Sequence, residues 1–205
     1  MKNDSEKKIR WIIFDVSGVV VPFTLVNPAG YEYESRFFSQ QDLEGVFYEK
    51  SYKNYMLGLI SHEQFVGDYI AKRKLDISVD EFNEILKKDV KPMEGMESLF
   101  QKLEPKYNLA LATNEGKVIT KYKVEGSGIM QYISKVIPSY LLRELKPYPD
   151  FYKKMLKKIE AESQECVFID DKKENVHTAK MMGMIGIIFE NVNQLEKELN
   201  TLQLL

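Results

Sequence analysis

The chain has a single cysteine, Cys166, so it can form no internal disulfide and nothing in it argues for an oxidising compartment. Cys166 lies inside an apolar run, where an inert buried thiol is expected rather than a nucleophile. No apolar run approaches the ~20 residues of a membrane span. Residues Met1 to Arg10 are polar and lack the apolar centre of a signal peptide, so a cytoplasmic protein is expected. Neither sign of charge dominates. With 29 basic and 31 acidic residues the net charge is −2, which gives no electrostatic case for nucleic acid or an anionic membrane surface as partner. There is no internal repeat and no low-complexity tract. What remains is an ordinary soluble composition over 205 residues, enough for one α/β core and a small insert.

Within that composition one stretch stands out, Trp11-Ile-Ile-Phe-Asp-Val-Ser-Gly-Val-Val-Val21. So apolar and β-branched a run reads as a strand buried on both faces, as in a parallel sheet. Asp15 falls at its C-terminal end, the edge where open α/β sheets bind ligands, and Gly18 lets the backbone turn just beyond it. An Asp here serves equally well to cap a turn, and this stretch alone does not decide between the two. A second stretch, Cys166-Val-Phe-Ile-Asp-Asp-Lys-Lys-Glu-Asn175, repeats the design and ends in Asp170 and Asp171. These two acids could cap the following helix, but that leaves Asp15 unexplained. Two strands delivering carboxylates to one sheet edge would bring three acids together, and uncompensated they would raise one another's pKa. A hard cation resolves this: Mg²⁺ takes oxygen ligands, a few carboxylates plus water and substrate phosphate.

Taken in order, residues 1–8 read as a charged, frayed lead and Ile9 to Val16 as the first strand. Residues 22–30 read as a loop leaving the core. From about Tyr31 to Lys91 strand-like runs vanish and helical spacing takes over, with Phe37, Phe38, Leu43, Val46, Phe47 and Tyr48 recurring on it. Ser61-His-Glu-Gln64 and Ser78-Val-Asp-Glu81 resemble capping boxes that open two helices. The core resumes near Pro92. It continues with a helix at Met96–Leu103, a strand at Tyr107–Thr113, a helix from Lys117 interrupted by Gly126 and Gly128, and a short strand at Ile133–Ile137. A helix at Pro149–Ile159 starts on a well-tolerated proline. A strand at Glu165–Ile169, a helix at Lys173–Met182, a strand at Ile185–Phe189 and a helix at Asn193–Leu199 complete the chain. Alternating strands and helices predict a doubly wound, mainly parallel α/β sheet. The expected division is a Rossmann-like core at 1–21 and 92–205, with an all-helical cap at 22–91.

Asp15, Thr113 at the end of Leu109-Ala-Leu-Ala-Thr113, Lys146 in Leu145-Lys-Pro147, and the pair Asp170-Asp171 occur in the order and spacing of four family motifs. On these residues the chain resembles the haloacid dehalogenase-like hydrolase superfamily, most of whose members are phosphatases, over nearly its whole length. The resemblance implies a phosphatase acting on a small phosphorylated metabolite. Asp15 would be the nucleophile and form an aspartyl-phosphate. Asp15 and Asp170 would hold Mg²⁺, with Asp171 assisting and the Ser17 backbone carbonyl as a further ligand. Thr113 and the Asn114 backbone N–H would bind a phosphate oxygen, and Lys146 would neutralise charge on Asp15 and the transition state. Thr113 as a helix N-cap and Lys146 as a solvated lysine are the structural alternatives. Asn175 would cap or orient the acidic loop. His62, in the first turn of a cap helix, and His177, mid-helix, are expected to be non-catalytic. Lys50, Lys53, Lys72 and Arg73 are expected to form a solvated cap face. The sequence does not separate a monomer from a homodimer.

One position departs from the family. Its phosphatases usually carry a second Asp two residues after the nucleophile, to protonate the leaving group and activate water. Here that residue is Ser17, a poor proton carrier, where general acid–base help is typically worth ~10²–10⁴ in rate. Weak turnover, substrates with good leaving groups, or a proton relay elsewhere in the chain would follow. A non-catalytic protein that keeps the metal and phosphate site is the main alternative. A metal-free dehalogenase leaves Asp170-Asp171 unexplained, and a phosphonate hydrolase needs a cap lysine, for which nothing favours Lys50 or Lys53.

Overall fold

The computed structural model describes residues 8–205 except Thr24, Val26 and Asp89, so the expected frayed lead lies almost wholly outside the described residues. In chain order the strands and helices are β1 (Trp11–Phe14), β2 (Tyr31–Tyr33), β3 (Arg36–Phe38), α1 (Gln40–Glu44), α2 (Lys50–Met56), α3 (His62–Arg73), α4 (Val79–Lys87), α5 (Met96–Leu103), β4 (Asn108–Thr113), α6 (Lys117–Gly126), β5 (Lys135–Pro138), α7 (Ser139–Leu142), α8 (Pro149–Ile159), β6 (Cys166–Asp170), α9 (Lys173–Met181), β7 (Ile185–Ile188) and α10 (Val192–Thr201). Three short 3₁₀ segments, Gly45–Tyr48, Ile129–Tyr132 and Ser163–Glu165, join them.

Five strands form one sheet in the order β5-β4-β1-β6-β7, and every neighbouring pair is parallel. The most apolar strand, β1, takes the centre, and alternate residues feed the two faces. Ile12 and Phe14 join Leu109, Leu111, Val167 and Ile169 under α5 and α10. Trp11 and Ile13 join Ala110, Ala112, Cys166 and Phe168 under α8 and α9. Helices on both faces of a parallel sheet are the doubly wound arrangement that the strand–helix alternation predicts. Among the described residues, no helix is long and apolar enough to cross a membrane.

Between β1 and α5 the chain builds a separate apolar cluster from Leu43, Val46, Tyr55, Phe65, Val66, Tyr69, Phe82, Ile85 and Leu86, into which α6 inserts Ile119. Ser78 and Glu81 close a full capping box at the start of α4. At α3 only half of the expected box forms: Ser61 Oγ accepts from the Gln64 amide at 3.1 Å. One expectation is corrected. Tyr31–Tyr33 and Arg36–Phe38 pair as an antiparallel ribbon, so Phe37 and Phe38 lie on a strand and not on a helix. Arg36 stitches this ribbon to the helices by an ion pair with Glu81 and a hydrogen bond to the Asp76 carbonyl at 2.6 Å.

Candidate active site

Three adjacent strands deliver the polar residues. Thr113 ends β4, Asp15 follows β1 directly, and Asp170 ends β6. The parallel register sets Phe14 beside Ile169, so the two acids that follow face each other across the strand gap. After Asp15 the chain turns tightly, with the Gly18 amide donating to the Val21 carbonyl at 2.8 Å. Gly18 has φ +82°, a conformation that favours glycine, and a Cβ there would also push against the tip of the exposed Phe23 ring.

One oxygen from each of Asp15, Asp170 and Asp171 lies within 4.8 Å of the others. Lys146 enters from the loop before α8. Its ammonium stands 2.9 Å from Asp15 Oδ1 and 2.7 Å from Asp170 Oδ2 and donates to the Ala112 carbonyl at 2.8 Å. Asn114 fixes that loop: its Nδ2 donates to the Lys146 carbonyl and its Oδ1 accepts from the Lys146 amide, both at 2.8 Å. Asn175 donates to both oxygens of Asp170 at 2.9 and 3.0 Å, and so orients the acid as expected. Asp15 Oδ1 accepts from the Val16 amide at 2.7 Å.

Burial pushes the Asp15 carboxyl above its usual pKa against the pull of Lys146, and Asp170 adds to the push. Burial, Asp15 and Asp170 raise Asp171 likewise. Burial would lower the Lys146 ammonium, but the two carboxylates outweigh it and hold its pKa high. One ammonium against three carboxylates leaves two negative charges in excess. Among the described residues, Asp171 Oδ1 is buried with no hydrogen-bond partner. An all-oxygen donor set with excess charge and an unpaired buried oxygen fits a hard divalent cation.

Thr113 is buried on the cavity wall and caps no helix, since Gly116 is the N-cap of α6. Lys146 is buried and not solvated. The N-cap of α9 is Lys172, so neither Asp170 nor Asp171 occupies that position. His62 is buried between Tyr55 Oη at 3.0 Å and Asn83 Oδ1 at 2.6 Å, and His177 is exposed. Lys50, Lys53, Lys72 and Arg73 are exposed, and the cavity is lined by Lys123, Lys146 and Lys172 and by neither Lys50 nor Lys53. Burial pushes the Cys166 thiol up to about 12, consistent with an inert core residue.

Beside Asp15 and Lys146 opens a cavity of about 560 Å³. Asp15, Ser17, Thr113, Asn114, Lys146 and Asn175 form its polar floor, and Phe23, Phe47, Tyr48, Tyr52 and Met56 form much of its remaining wall. Four charged residues outside the motifs also line it, Glu44, Glu115, Lys123 and Lys172, and two of these form a buried pair. Lys123, on α6, is buried and donates to Ser17 Oγ at 2.7 Å and to Glu115 Oε2 at 2.6 Å. Tyr52 of α2 donates to the other Glu115 oxygen at 2.7 Å. The available signal was a lysine on the buried stripe of α6, beside Ile119, Thr120 and Val124.

The profile described as haloacid dehalogenase-like hydrolase matches residues 12–188. Among curated proteins the chain is similar to flavin mononucleotide hydrolase 1 of Arabidopsis thaliana, 26% identical over 96% of this chain and 79% of that one. It is also similar to D-ribitol-5-phosphate phosphatase of Bacteroides thetaiotaomicron, 26% identical over 49% of this chain and 52% of that one. A haloacid dehalogenase family enzyme of the same bacterium, solved in complex with magnesium and inorganic phosphate, shares the fold with a TM-score of 0.70 at 19% identity, covering 91% of this chain and 98% of that one.

Proposed function

The chain belongs to the haloacid dehalogenase-like hydrolases, and on that premise we propose that it is a Mg²⁺-dependent phosphatase acting on a small phosphorylated metabolite through Asp15. The observation that carries this reading is the convergence of Asp15, Asp170 and Asp171 within 4.8 Å beside Lys146. The side chains of Asp15, Asp170 and Asp171 and the backbone carbonyl of Ser17 would hold the ion. When bound, Mg²⁺ supplies charge neutralisation and polarisation of the phosphoryl oxygens.

The remaining chemistry falls to side chains. Asp15 attacks phosphorus and becomes an aspartyl-phosphate, splitting one hard displacement into two. Val16 and Lys146 both engage Oδ1 of Asp15, which leaves Oδ2 as the oxygen that would attack. Lys146 acts on the phosphate through the charge it brings to Asp15, because three protein oxygens already surround its ammonium. Thr113 and the Asn114 amide receive phosphate oxygens at the end of β4. Residues 22–91 serve as a cap over the 1–21 and 92–205 core, excluding water from the site. The leaving group would lie against Phe23, Phe47, Tyr52 and Met56, which favours an alcohol with an apolar or ring-bearing body.

The test is hydrolysis of p-nitrophenyl phosphate with Mg²⁺ by the native chain and by Asp15→Asn. Turnover that requires Mg²⁺ and vanishes in Asp15→Asn supports the reading. A native chain that binds Mg²⁺ and phosphate without turnover supports the second reading, a binding protein, for which Ser17 in place of the usual acid is the motive.

A further inference from the structure

We infer that Lys123 is a positioning residue for phosphoryl transfer: it holds the Ser17 hydroxyl as a hydrogen-bond donor to the leaving-group oxygen. The inference rests on the phosphatase reading above. An ammonium has donors only, so at 2.7 Å Lys123 occupies an acceptor lone pair of Ser17 Oγ. The hydroxyl proton must then point elsewhere. Among the described residues no protein acceptor receives it, and Ser17 lines the cavity beside Asp15.

Lys123 is itself fixed. Glu115 holds it at 2.6 Å, both side chains are buried, and Tyr52 pins the other Glu115 oxygen. The Lys123 ammonium also lies 6.0 Å from the centre of the Phe47 ring. This pair therefore continues the part of the wall assigned above to the leaving group. Lys146 and Asn175 hold Asp170, which Lys123 does not touch.

The step balances without a side-chain acid. An Asp15 oxygen forms a bond to phosphorus, the ester P–O bond breaks, and its electron pair leaves on the alcohol oxygen. That oxygen is met by the Ser17 O–H hydrogen bond and takes its proton from water. The hydroxide so formed is consumed when the aspartyl-phosphate is hydrolysed to carboxylate and hydrogen phosphate. A fixed donor aimed where charge develops needs no reorganisation at the moment of reaction, and loss of one typically costs about 10²–10³ in rate. Its value grows with the charge on the departing oxygen. It therefore matters most for unactivated alcohols and least for nitrophenol.

The experiment measures kcat and KM of the native chain, Lys123→Met, Lys123→Arg, Ser17→Ala and the Ser17→Ala/Lys123→Met double variant, with Mg²⁺. The substrates are p-nitrophenyl phosphate, phenyl phosphate and an alkyl phosphate. Lys123→Met should lower kcat on the alkyl ester about 10²-fold and on the nitrophenyl ester under tenfold, with KM little changed. Lys123→Arg should restore part of the loss. The double variant should be no worse than Ser17→Ala. Equal losses on all three esters, or additive effects in the double variant, would overturn the assignment while leaving the phosphatase reading intact. A Glu115→Gln/Lys123→Met variant, with no uncompensated buried carboxylate, covers the case in which Lys123→Met does not fold; the same leaving-group dependence is required of it. A native chain inactive on all three esters sinks both readings.

Discussion

Lys146 Nζ lies 2.7 Å from Asp170 Oδ2, an ion pair with both side chains buried, joining the loop before α8 to the end of β6. Removing one partner of a buried pair is strongly destabilising because the other charge is left uncompensated, typically by about 3–5 kcal/mol. Lys146→Met should therefore lower stability in EDTA by about 3 kcal/mol. The same substitution removes the one ammonium among the three carboxylates, so Mg²⁺ should bind it more tightly than it binds the native chain. Urea denaturation in EDTA and titration calorimetry with Mg²⁺ check the two halves. Weaker Mg²⁺ binding in Lys146→Met would contradict the assigned cation site.

Tyr55 of α2 caps a core helix from outside. Its oxygen accepts from the Val118 and Ile119 amides at 3.1 and 3.2 Å, the first-turn donors of α6. The ring packs over Gly116, where an alanine Cβ would lie 2.2 Å from Tyr55 Cζ. The ring cannot yield, because it is stacked on Phe65 at 4.8 Å and buried. Gly116→Ala should cost about 1–3 kcal/mol in urea denaturation. Combined with Tyr55→Ala, Gly116→Ala should add almost nothing.

How much of this was legible follows from residue type and spacing. The sheet strands are short apolar runs buried on both faces, so β1, β4 and β6 could be placed from sequence to within about two residues. Asp15 and Asp170 were legible because each ends such a run, and Thr113 only through the family resemblance. The ribbon was not: three-residue strands such as Arg36–Phe38 leave no periodicity to count, and the adjacent Phe37 and Phe38 suit a helix pattern equally. Lys123 and Glu115 were missed for a different reason. Lys123 meets Ser17 across 106 positions and Tyr52 meets Glu115 across 63, and no local pattern encodes a contact at that separation.

The aromatic wall makes a prediction about substrates. Phe47 lies over the Lys123 ammonium and packs edge-on against Tyr52 at 5.3 Å, while Phe23 covers Gly18. Phe47→Ala and Phe23→Ala should each raise KM for a ring-bearing phosphate ester about tenfold, equivalent to roughly 1.4 kcal/mol of lost apolar contact. KM for a short polyol phosphate should change less than about threefold by the same reasoning. Steady-state kinetics on the two ester classes make the comparison. Equal KM changes on both would remove the wall from specificity.

His62 makes the contact between α2 and α6 sensitive to acid. Asn83 Oδ1, 2.6 Å from Nε2, requires a proton on that nitrogen, so in the neutral ring Nδ1 accepts from the Tyr55 hydroxyl at 3.0 Å. Tyr55 in turn accepts from the α6 amides. A second proton on His62 would turn Nδ1 into a donor and break this chain of bonds. Burial lowers the His62 pKa below its ordinary 6.5, partly opposed by the bond to Asn83. The unfolded chain thus binds the proton more readily than the folded one, and stability must rise with pH through this window. It is lost as pH falls from 6.5 toward the lower folded value. The urea midpoint of the native chain should therefore decline more steeply below pH 6.5 than that of His62→Gln, which keeps polar groups at the position but cannot ionise. Parallel slopes for the two proteins would show that folding does not lower the His62 pKa.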